Sequence, residues 1–187
     1  QAVLLYGEND GLKDDIKYKL KILNQNSEII SIFESEIIKN KKILYENIIN
    51  ESLFNEKKII FIQLATDKIL NEILEILEKN NKNVKIFIFS ANLDKKSKLR
   101  NAFEKEKEIA IIPCYPDNER TLINYITKKL ENFKGVTGEL ISIIITNSSS
   151  NRKIIQNEIV KIKSFFLNKE ITKTQLLKIL NIKNDTG

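Results

Sequence analysis

The feature that most constrains the fold of this chain is an alternation of short apolar runs with longer amphipathic segments. The apolar runs are rich in Ile, Phe and Leu, a composition typical of strands that are buried on both faces of a sheet. The segments between them repeat their apolar residues with the period of a helix. This pattern predicts an α/β fold with a five-stranded parallel sheet. The predicted strands cover residues 2–6, 28–33, 58–64, 84–89 and 108–114.

The pattern changes after Pro113-Cys114-Tyr115-Pro116, where the strand signal stops and only helical segments follow. We therefore predict two domains, an α/β domain over residues 1–116 and a small all-helical domain over residues 117–187. Asp117 is the predicted cap of the first helix in the second part, and Asn151-Arg152 opens the third. Within the α/β part, the clearest helix runs from about residue 66 to 79, with Thr66 as its N-cap.

The loop after the first predicted strand approaches the phosphate loop G-x-x-x-x-G-K-[ST] through Gly7, Gly11 and Lys13. In that motif backbone N–H groups wrap the phosphates and the hydroxyl holds magnesium. Here three residues instead of four separate the glycines, one residue separates Gly11 from Lys13, and the Ser/Thr position is an aspartate. Acidic side chains follow where a nucleotide needs neutral donors, at Asp10, Asp14 and Asp15. The loop is therefore interpreted as a degenerate phosphate loop whose acids suit the positive end of the following helix.

Hydrolysis would also need an acidic pair after an apolar strand, to hold magnesium and orient water. After the third predicted strand, Asp67 stands alone and Lys68 replaces its partner. We therefore expect no intrinsic catalysis, and Asp67 is interpreted as part of a helix N-terminus. The chain has one cysteine, Cys114, and no histidine, which excludes a disulfide framework, a zinc constellation and a His-assisted nucleophile. No metal site and no cofactor is expected, and Cys114 is interpreted as a buried small hydrophobe.

The formal net charge of +6 permits contact with nucleic acid but does not require it. No apolar run approaches the length of a membrane span, and a cytoplasmic location is expected. Two positions carry open alternatives. Leu53 and Phe54, after Ser52 in a polar stretch, either enter the core, which the sequence alone favours, or form an apolar docking knob. Arg152 faces a phosphate or is an ordinary surface arginine.

Several short segments together resemble the delta subunit of the bacterial DNA polymerase III clamp loader. Residues 5–12, Leu-Tyr-Gly-Glu-Asn-Asp-Gly-Leu, resemble its opening, and Ser52-Leu53-Phe54 before an apolar strand resembles its clamp-contacting segment. Residues 92–99, Asn-Leu-Asp-Lys-Lys-Ser-Lys-Leu, resemble its Leu-Asp-Lys-Arg-rich stretch. Cys114-Tyr115-Pro116, Asn151-Arg152 and residues 158–162 match later landmarks. The order and spacing of the segments carry the resemblance over nearly the whole chain.

The resemblance implies an AAA+ module, a RecA-like α/β domain followed by a helical lid, that does not bind ATP. It implies a subunit that acts as a wrench: it binds the sliding clamp (beta) and opens or holds open one interface of the ring. Residues corresponding to Leu53 and Phe54 enter a hydrophobic pocket on the clamp, which favours the docking interpretation. The implied partners are the ATPase gamma/tau and delta-prime subunits and, through the assembled complex, primed DNA. The family also has a helical collar domain that lies beyond the residues of this chain, and the whole assembly belongs to a DNA-directed DNA polymerase.

Two alternatives remain open at this point. A signalling receiver domain also has five strands, and Asp10 and Asp67 could serve as its acids, but it requires a lysine where this chain has Cys114. It also leaves the helical second part unexplained. A nucleic-acid-binding scaffold is supported by the charge alone.

Overall fold

A computed structural model of the chain describes residues 2–49, 57–78, 83–106 and 109–180. It confirms an α/β fold with an all-parallel five-stranded sheet and helices. The strands are β1 (Ala2–Tyr6), β2 (Glu28–Phe33), β3 (Lys58–Gln63), β4 (Val84–Phe89) and β5 (Ala110–Pro113). The helices of the described residues are α1 (Asp10–Leu23), α2 (Glu34–Lys39), α3 (Ile43–Ile49), α4 (Leu70–Glu78), α5 (Lys98–Lys105), α6 (Glu119–Lys129), α7 (Gly138–Asn147), α8 (Arg152–Phe165) and α9 (Lys173–Ile179).

The chain divides into two compact units. Unit 1 comprises Gln1–Glu8 and Lys13–Tyr115, and unit 2 comprises Asn9–Leu12 and Pro116–Gly187. The short segment Asn9–Leu12, which contains the first turn of α1, therefore groups with the helical unit although it lies early in the sequence. Each unit has its own apolar core.

The sheet of unit 1 has the strand order β2-β3-β4-β1-β5. The first strand lies between the fourth and the fifth, so Leu4 is paired with Ile88 on one side and with Ile111 on the other. A receiver domain instead has the order 2-1-3-4-5, with its first strand between the second and the third. The observed order therefore excludes the receiver alternative.

Burial on both faces explains the three central strands of the sheet, β3, β4 and β1. Every residue of β3 from Lys58 to Ile62 is buried, and β1 and β4 are nearly as enclosed, as expected for central strands covered on both faces. One face of the sheet contributes Leu4, Ile60 and Ile88 to the core of unit 1, where Ile69 and Ile73 pack against it.

Helix starts follow from local capping. The hydroxyl of Thr66 accepts a hydrogen bond from the Lys68 amide, as predicted, although the first turn, Asp67–Ile69, is a 3-10 helix that leads into α4. The predicted cap at Asp117 is wrong: Asn118 caps α6. Its side-chain oxygen accepts from the Thr121 amide, and its own amide donates to the Thr121 hydroxyl oxygen. The carboxylate of Asp117 is used elsewhere in unit 2. Asn151 caps α8 by accepting from the amides of Lys153 and Ile154.

Candidate functional site

The candidate site in unit 1 is the edge of the sheet where the strands end at their carboxyl termini. In open α/β sheets this edge is the usual place for a ligand. The loops that leave the strands are joined here by backbone hydrogen bonds. The Gly7 amide donates to the Ala91 carbonyl (3.1 Å), and the Cys114 amide donates to the Tyr6 carbonyl (2.6 Å). Backbone hydrogen bonds thus link the start of the degenerate phosphate loop to the segments that follow β4 and β5.

Gly7 is required by packing at this edge. Its φ is +131°, and a Cβ placed on it would lie 2.2 Å from the carbonyl oxygen of Cys114. Any side chain would therefore combine an unfavourable backbone conformation with a clash against backbone that cannot move easily. Cys114 itself is fully buried, as predicted, and burial raises the pKa of its thiol although the nearby Lys13 lowers it. The glycine is explained by its contact with Cys114 and needs no ligand.

Lys13 is buried, with 6% of its surface exposed, and its ammonium points at backbone. Nζ donates to the carbonyl oxygens of Gly7 and Ser90, each at 2.9 Å. Burying an ammonium is costly unless it is hydrogen-bonded, and these two carbonyls supply acceptors. In a working phosphate loop the lysine reaches the phosphates of the nucleotide. Here the lysine joins the end of β1 to the end of β4.

Asp67 is part of a helix N-terminus, as predicted, since it begins the 3-10 turn that leads into α4, and its side chain also caps α5. Its carboxylate accepts hydrogen bonds from the Ser97 hydroxyl (2.7 Å) and from the amides of Lys98 (3.0 Å) and Leu99 (2.9 Å). Burial acts to raise the pKa of Asp67, but these hydrogen bonds, led by that from Leu99, hold it below its usual value. The carboxylate is therefore ionised and directed at the positive end of α5.

An open polar cleft of about 660 Å³ lies beside Asp67 in unit 1. It is lined by Thr66, Asp67, Lys68, Asn92, Leu93, Asp94, Lys96 and Ser97. The second carboxylate of this cleft, that of Asp94, accepts from the amides of Lys96 and Ser97 in its own turn. Both acids thus stabilise local backbone. Within the part of the chain that the structure describes, no cluster of His, Cys, Asp and Glu could hold a metal ion.

A tyrosine pair at the same edge was not singled out from the sequence. Tyr6, the buried last residue of β1, packs edge-to-face on Tyr115, and the two hydroxyls lie 3.4 Å apart. The guanidinium of Arg100 lies over the Tyr6 ring, 4.9 Å from its centroid. The hydrogen bond with Tyr115, followed by burial, raises the pKa of Tyr6. Nothing in the sequence pattern links residues so far apart, although Tyr115 stands directly after the last strand.

Arg152 lies in unit 2 and is paired with Asp117. Like Lys13, it is a predicted site residue with a basic side chain. Its Nε donates to Asp117 Oδ2 at 2.7 Å and its Nη2 to Oδ1 at 2.6 Å, so the pair is bidentate. Both side chains are nearly enclosed, with 10% and 6% of their surface exposed. The guanidinium also stacks on the ring of Tyr125, at 4.2 Å from its centroid. Arg152 is thus a buried, paired side chain and not the ordinary surface arginine of the second alternative, and its predicted role toward a phosphate stays a prediction.

Gly11 allows the first turn of α1 to lie directly against the start of α8 within unit 2. A Cβ on Gly11 would be 2.9 Å from Cγ of Arg152 and 3.0 Å from the Lys153 amide nitrogen. The Gln156 side chain donates to the Gly11 carbonyl at 2.9 Å. The second glycine of the degenerate phosphate loop therefore serves a helix contact. The remaining predicted site residues, Ser52, Leu53 and Phe54, lie outside the described residues.

Comparison with known proteins identifies what this arrangement resembles. No family model matches the sequence. A protein named probable DNA polymerase III subunit delta, from Rickettsia prowazekii (strain Madrid E), is 25% identical over 185 residues, which cover 97% of this chain and 56% of that protein. This chain is similar to the DNA polymerase III delta subunit.

A solved structure agrees in fold. The Bacillus subtilis DNA clamp loader delta protein YqeN superposes with a TM-score of 0.63 at 14% identity, covering 96% of this chain and 57% of that one. At this identity the likeness bears on the fold alone. The two comparisons confirm the resemblance to the delta subunit and its fold. The chain spans a little over half the length of either relative. None of the described helices is long and apolar enough to cross a membrane.

Proposed function

We propose that this chain is the clamp-binding part of a clamp-loader delta subunit, which binds the sliding clamp and opens or holds open one interface of the ring during replication. The observation that carries the proposal is the similarity over 97% of the chain to a protein named as a probable DNA polymerase III delta subunit. The fold of a clamp loader delta protein supports it. In this proposal the chain is an AAA+ module, with unit 1 as the RecA-like domain and unit 2 as the lid.

The clamp contact is assigned to Ser52, Leu53 and Phe54 on the strength of the sequence resemblance. Two large apolar side chains side by side can fill a pocket on a partner, and such anchors carry most of the binding energy of an interface. They act as a wrench only by binding a distorted or open clamp interface more tightly than the closed one, since a ligand shifts an equilibrium by its difference in affinity. Neighbouring gamma/tau and delta-prime subunits would control access to this surface, and primed DNA would be met through the assembled complex.

We further propose that the chain does not bind ATP, and that its place in the loader is structural. Three groups that a nucleotide site would direct at phosphate or magnesium have other partners. Lys13 donates to two backbone carbonyls, Asp67 accepts from the start of α5, and Arg152 is paired with Asp117. Addition of Mg-ATP to the protein in a calorimetric titration should release no binding heat, and micromolar affinity would refute this part of the proposal.

Clamp binding by two variants tests the assignment directly. The sliding clamp of the same organism is immobilised, and the affinity of the chain is measured before and after the joint substitution Leu53→Ala and Phe54→Ala. We expect a loss of at least about 2 kcal/mol, roughly 30-fold in dissociation constant, if the two residues are hot spots.

The matched control is Leu23→Ala, which truncates a leucine that is 79% exposed at the end of α1. It should leave the affinity unchanged, because Leu23 lies outside the segment to which the clamp contact is assigned. Equal affinities for the wild type and the double variant would refute the assignment of the contact. Absence of any clamp binding by the wild type would refute the proposed function itself.

A further inference from the structure

The carboxylate of Asp117 is held in unit 2 by side chains that would suit any oxyanion. Oδ1 accepts from Arg152 Nη2 (2.6 Å) and from the Thr121 hydroxyl (2.7 Å). Oδ2 accepts from Arg152 Nε (2.7 Å) and from the Asn9 side-chain amide (2.7 Å). Each oxygen thus receives two donors, and all four come from residues on helices or at a helix start. An ionised carboxylate has about four acceptor sites, and the surrounding side chains supply a donor for each of them.

The donors are positioned by contacts that do not involve Asp117. Arg152 stacks on Tyr125, and Asn9 accepts a hydrogen bond from the Leu12 amide through Oδ1 (3.0 Å), which turns its amide nitrogen toward the carboxylate. The Thr121 oxygen accepts from the Asn118 amide (3.1 Å). Donors that are fixed in advance bind an anion without having to be ordered by it.

Two helix N-termini add positive potential, which the Asp10 carboxylate in the first turn of α1 partly opposes. Asp10 begins α1 and Arg152 begins α8, so both helices present N-terminal ends here, and Gly11 lets those ends approach each other. Helix N-termini attract anions, and an arginine fork matches a phosphate as well as it matches a carboxylate. These donors thus form an oxyanion site, and the carboxylate of Asp117 occupies it.

We propose that Arg152, Asn9 and Thr121 form a phosphate-class anion site that the chain keeps occupied with its own Asp117 carboxylate. The inference goes beyond the proposed function and does not depend on clamp binding. Because Asp117 is tethered to the site through the chain, its carboxylate is present at a high effective concentration and excludes anions from solution. In this proposal the four donors would accept an external oxyanion once the internal carboxylate is removed.

Removal of the carboxylate tests the proposal. The full chain carrying Asp117→Gly is titrated with inorganic phosphate at constant ionic strength, and thermal unfolding is followed together with the Nε–H signal of Arg152 in nuclear magnetic resonance spectra. The chain has three arginines, Arg100, Arg120 and Arg152, so the signals can be assigned by single Arg→Lys substitutions. We expect no response of the wild type. In the variant the Arg152 signal should shift and saturate, and the unfolding midpoint should rise by about 3–6 °C at ten times the dissociation constant.

Two variants control for a general effect of anions. Asp117→Gly combined with Arg152→Gln should lose the response, since the bidentate donor is gone. Asp94→Gly, which removes an exposed carboxylate of unit 1, should not acquire one. The isosteric Asp117→Asn keeps the volume of the side chain and should show a weaker phosphate response at the same signal. Parallel titrations with ATP and with a short single-stranded DNA distinguish free phosphate from phosphate carried on a larger molecule.

Several outcomes would overturn the inference. Equal phosphate binding by the wild type and Asp117→Gly would show that the carboxylate excludes nothing. A response that persists without the arginine, or that appears with ATP but not with inorganic phosphate, would place the binding elsewhere. If Asp117→Gly and Asp117→Asn remain unfolded at every phosphate concentration, the donors do not accept an external anion and the proposal is wrong.

Discussion

The buried ammonium of Lys13 gives the sharpest test of how this chain uses its degenerate phosphate loop. In a nucleotide-binding protein the corresponding lysine serves the ligand, so its replacement abolishes binding at little cost in stability. Here Nζ is bonded to the carbonyls of Gly7 and Ser90. Lys13→Met keeps most of the aliphatic stem and removes the charge. In this chain the substitution should lower the free energy of unfolding and leave nucleotide affinity unchanged.

The magnitude follows from two opposing contributions. Each charge-assisted hydrogen bond contributes about 1.5–3 kcal/mol, and each buried carbonyl left without its donor costs about 1–3 kcal/mol. The loss of these hydrogen bonds is partly offset, because methionine has no charge to bury and burying a charge costs several kcal/mol. We therefore expect Lys13→Met to lower the free energy of unfolding by about 2–4 kcal/mol, well above the 0.5 kcal/mol or so that surface substitutions usually produce.

Urea unfolding followed by far-ultraviolet circular dichroism measures this difference, because a change in midpoint at constant slope reports stability. Lys19→Met is the matched control, since Lys19 is an exposed lysine on the same helix. The reasoning is refuted if the two variants unfold at the same urea concentration. It is refuted equally if the wild type binds Mg-ATP with micromolar affinity and Lys13→Met abolishes that binding.

Three further predictions follow from the same geometry. Gly7→Ala should lower stability by about 2–4 kcal/mol in urea unfolding, because its Cβ would meet the Cys114 carbonyl at a positive φ; a loss below 0.5 kcal/mol or so would contradict the packing role. The pKa of Asp117 is lowered in the folded state, because the hydrogen bonds from Arg152, Thr121 and Asn9 outweigh the effect of burial. The ionised carboxylate therefore stabilises the fold at any pH above the unfolded pKa, about 3.9, and this contribution is lost as the pH falls through the lower folded value. Asp117→Asn should be less stable than the wild type at neutral pH and should lose less stability on acidification. Parallel acid unfolding curves of the two proteins would contradict this. Asp67→Ala should cost about 0.5–2 kcal/mol through the loss of the α5 cap, measured against Glu75→Ala, which removes an exposed carboxylate of α4, and an unchanged unfolding midpoint would refute the capping role.

The three central strands β1, β3 and β4 were predictable because most of their residues are buried on both faces, whereas the edge strands β2 and β5 were predictable from their apolar composition alone. A run such as Lys58–Gln63, with Ile and Phe at nearly every position, has no other stable environment in a chain of this kind. The predicted bounds of β1, β2 and β4 agree with the structure, and β3 and β5 differ by two residues or fewer at each end. Such apolar runs do not determine the order of the strands in the sheet, because the order depends on which strands pair with each other in the folded chain. The order separates this fold from a receiver domain.

The candidate site was predictable only in part, because side-chain pairing across long separations leaves no local signal. The sequence indicated that Lys13 is displaced from its position in a working loop, but not that its ammonium would be taken up by Gly7 and Ser90. Asp117 was expected to cap α6 because it stands two residues before the helix. Its carboxylate instead pairs with Arg152, 35 residues later, and the adjacent Asn118 takes the cap. Asp and Asn are both favoured N-cap residues, so the local sequence permits either one to cap α6. The ion pair with the buried Arg152 engages the Asp117 carboxylate, and Asn118 caps the helix.

The loss of nucleotide binding that we propose does not reduce to the missing residue in the loop. Inserting one residue between Gly7 and Gly11 would restore the spacing of the two glycines and leave Lys13 bonded to carbonyls and Arg152 bonded to Asp117. Each of these groups is satisfied by the protein, so a nucleotide would have to replace internal hydrogen bonds before gaining its own. An ATP site would therefore require coordinated changes at the loop, at Asp117 and at the partners of Lys13. A repaired loop alone should remain unable to bind ATP.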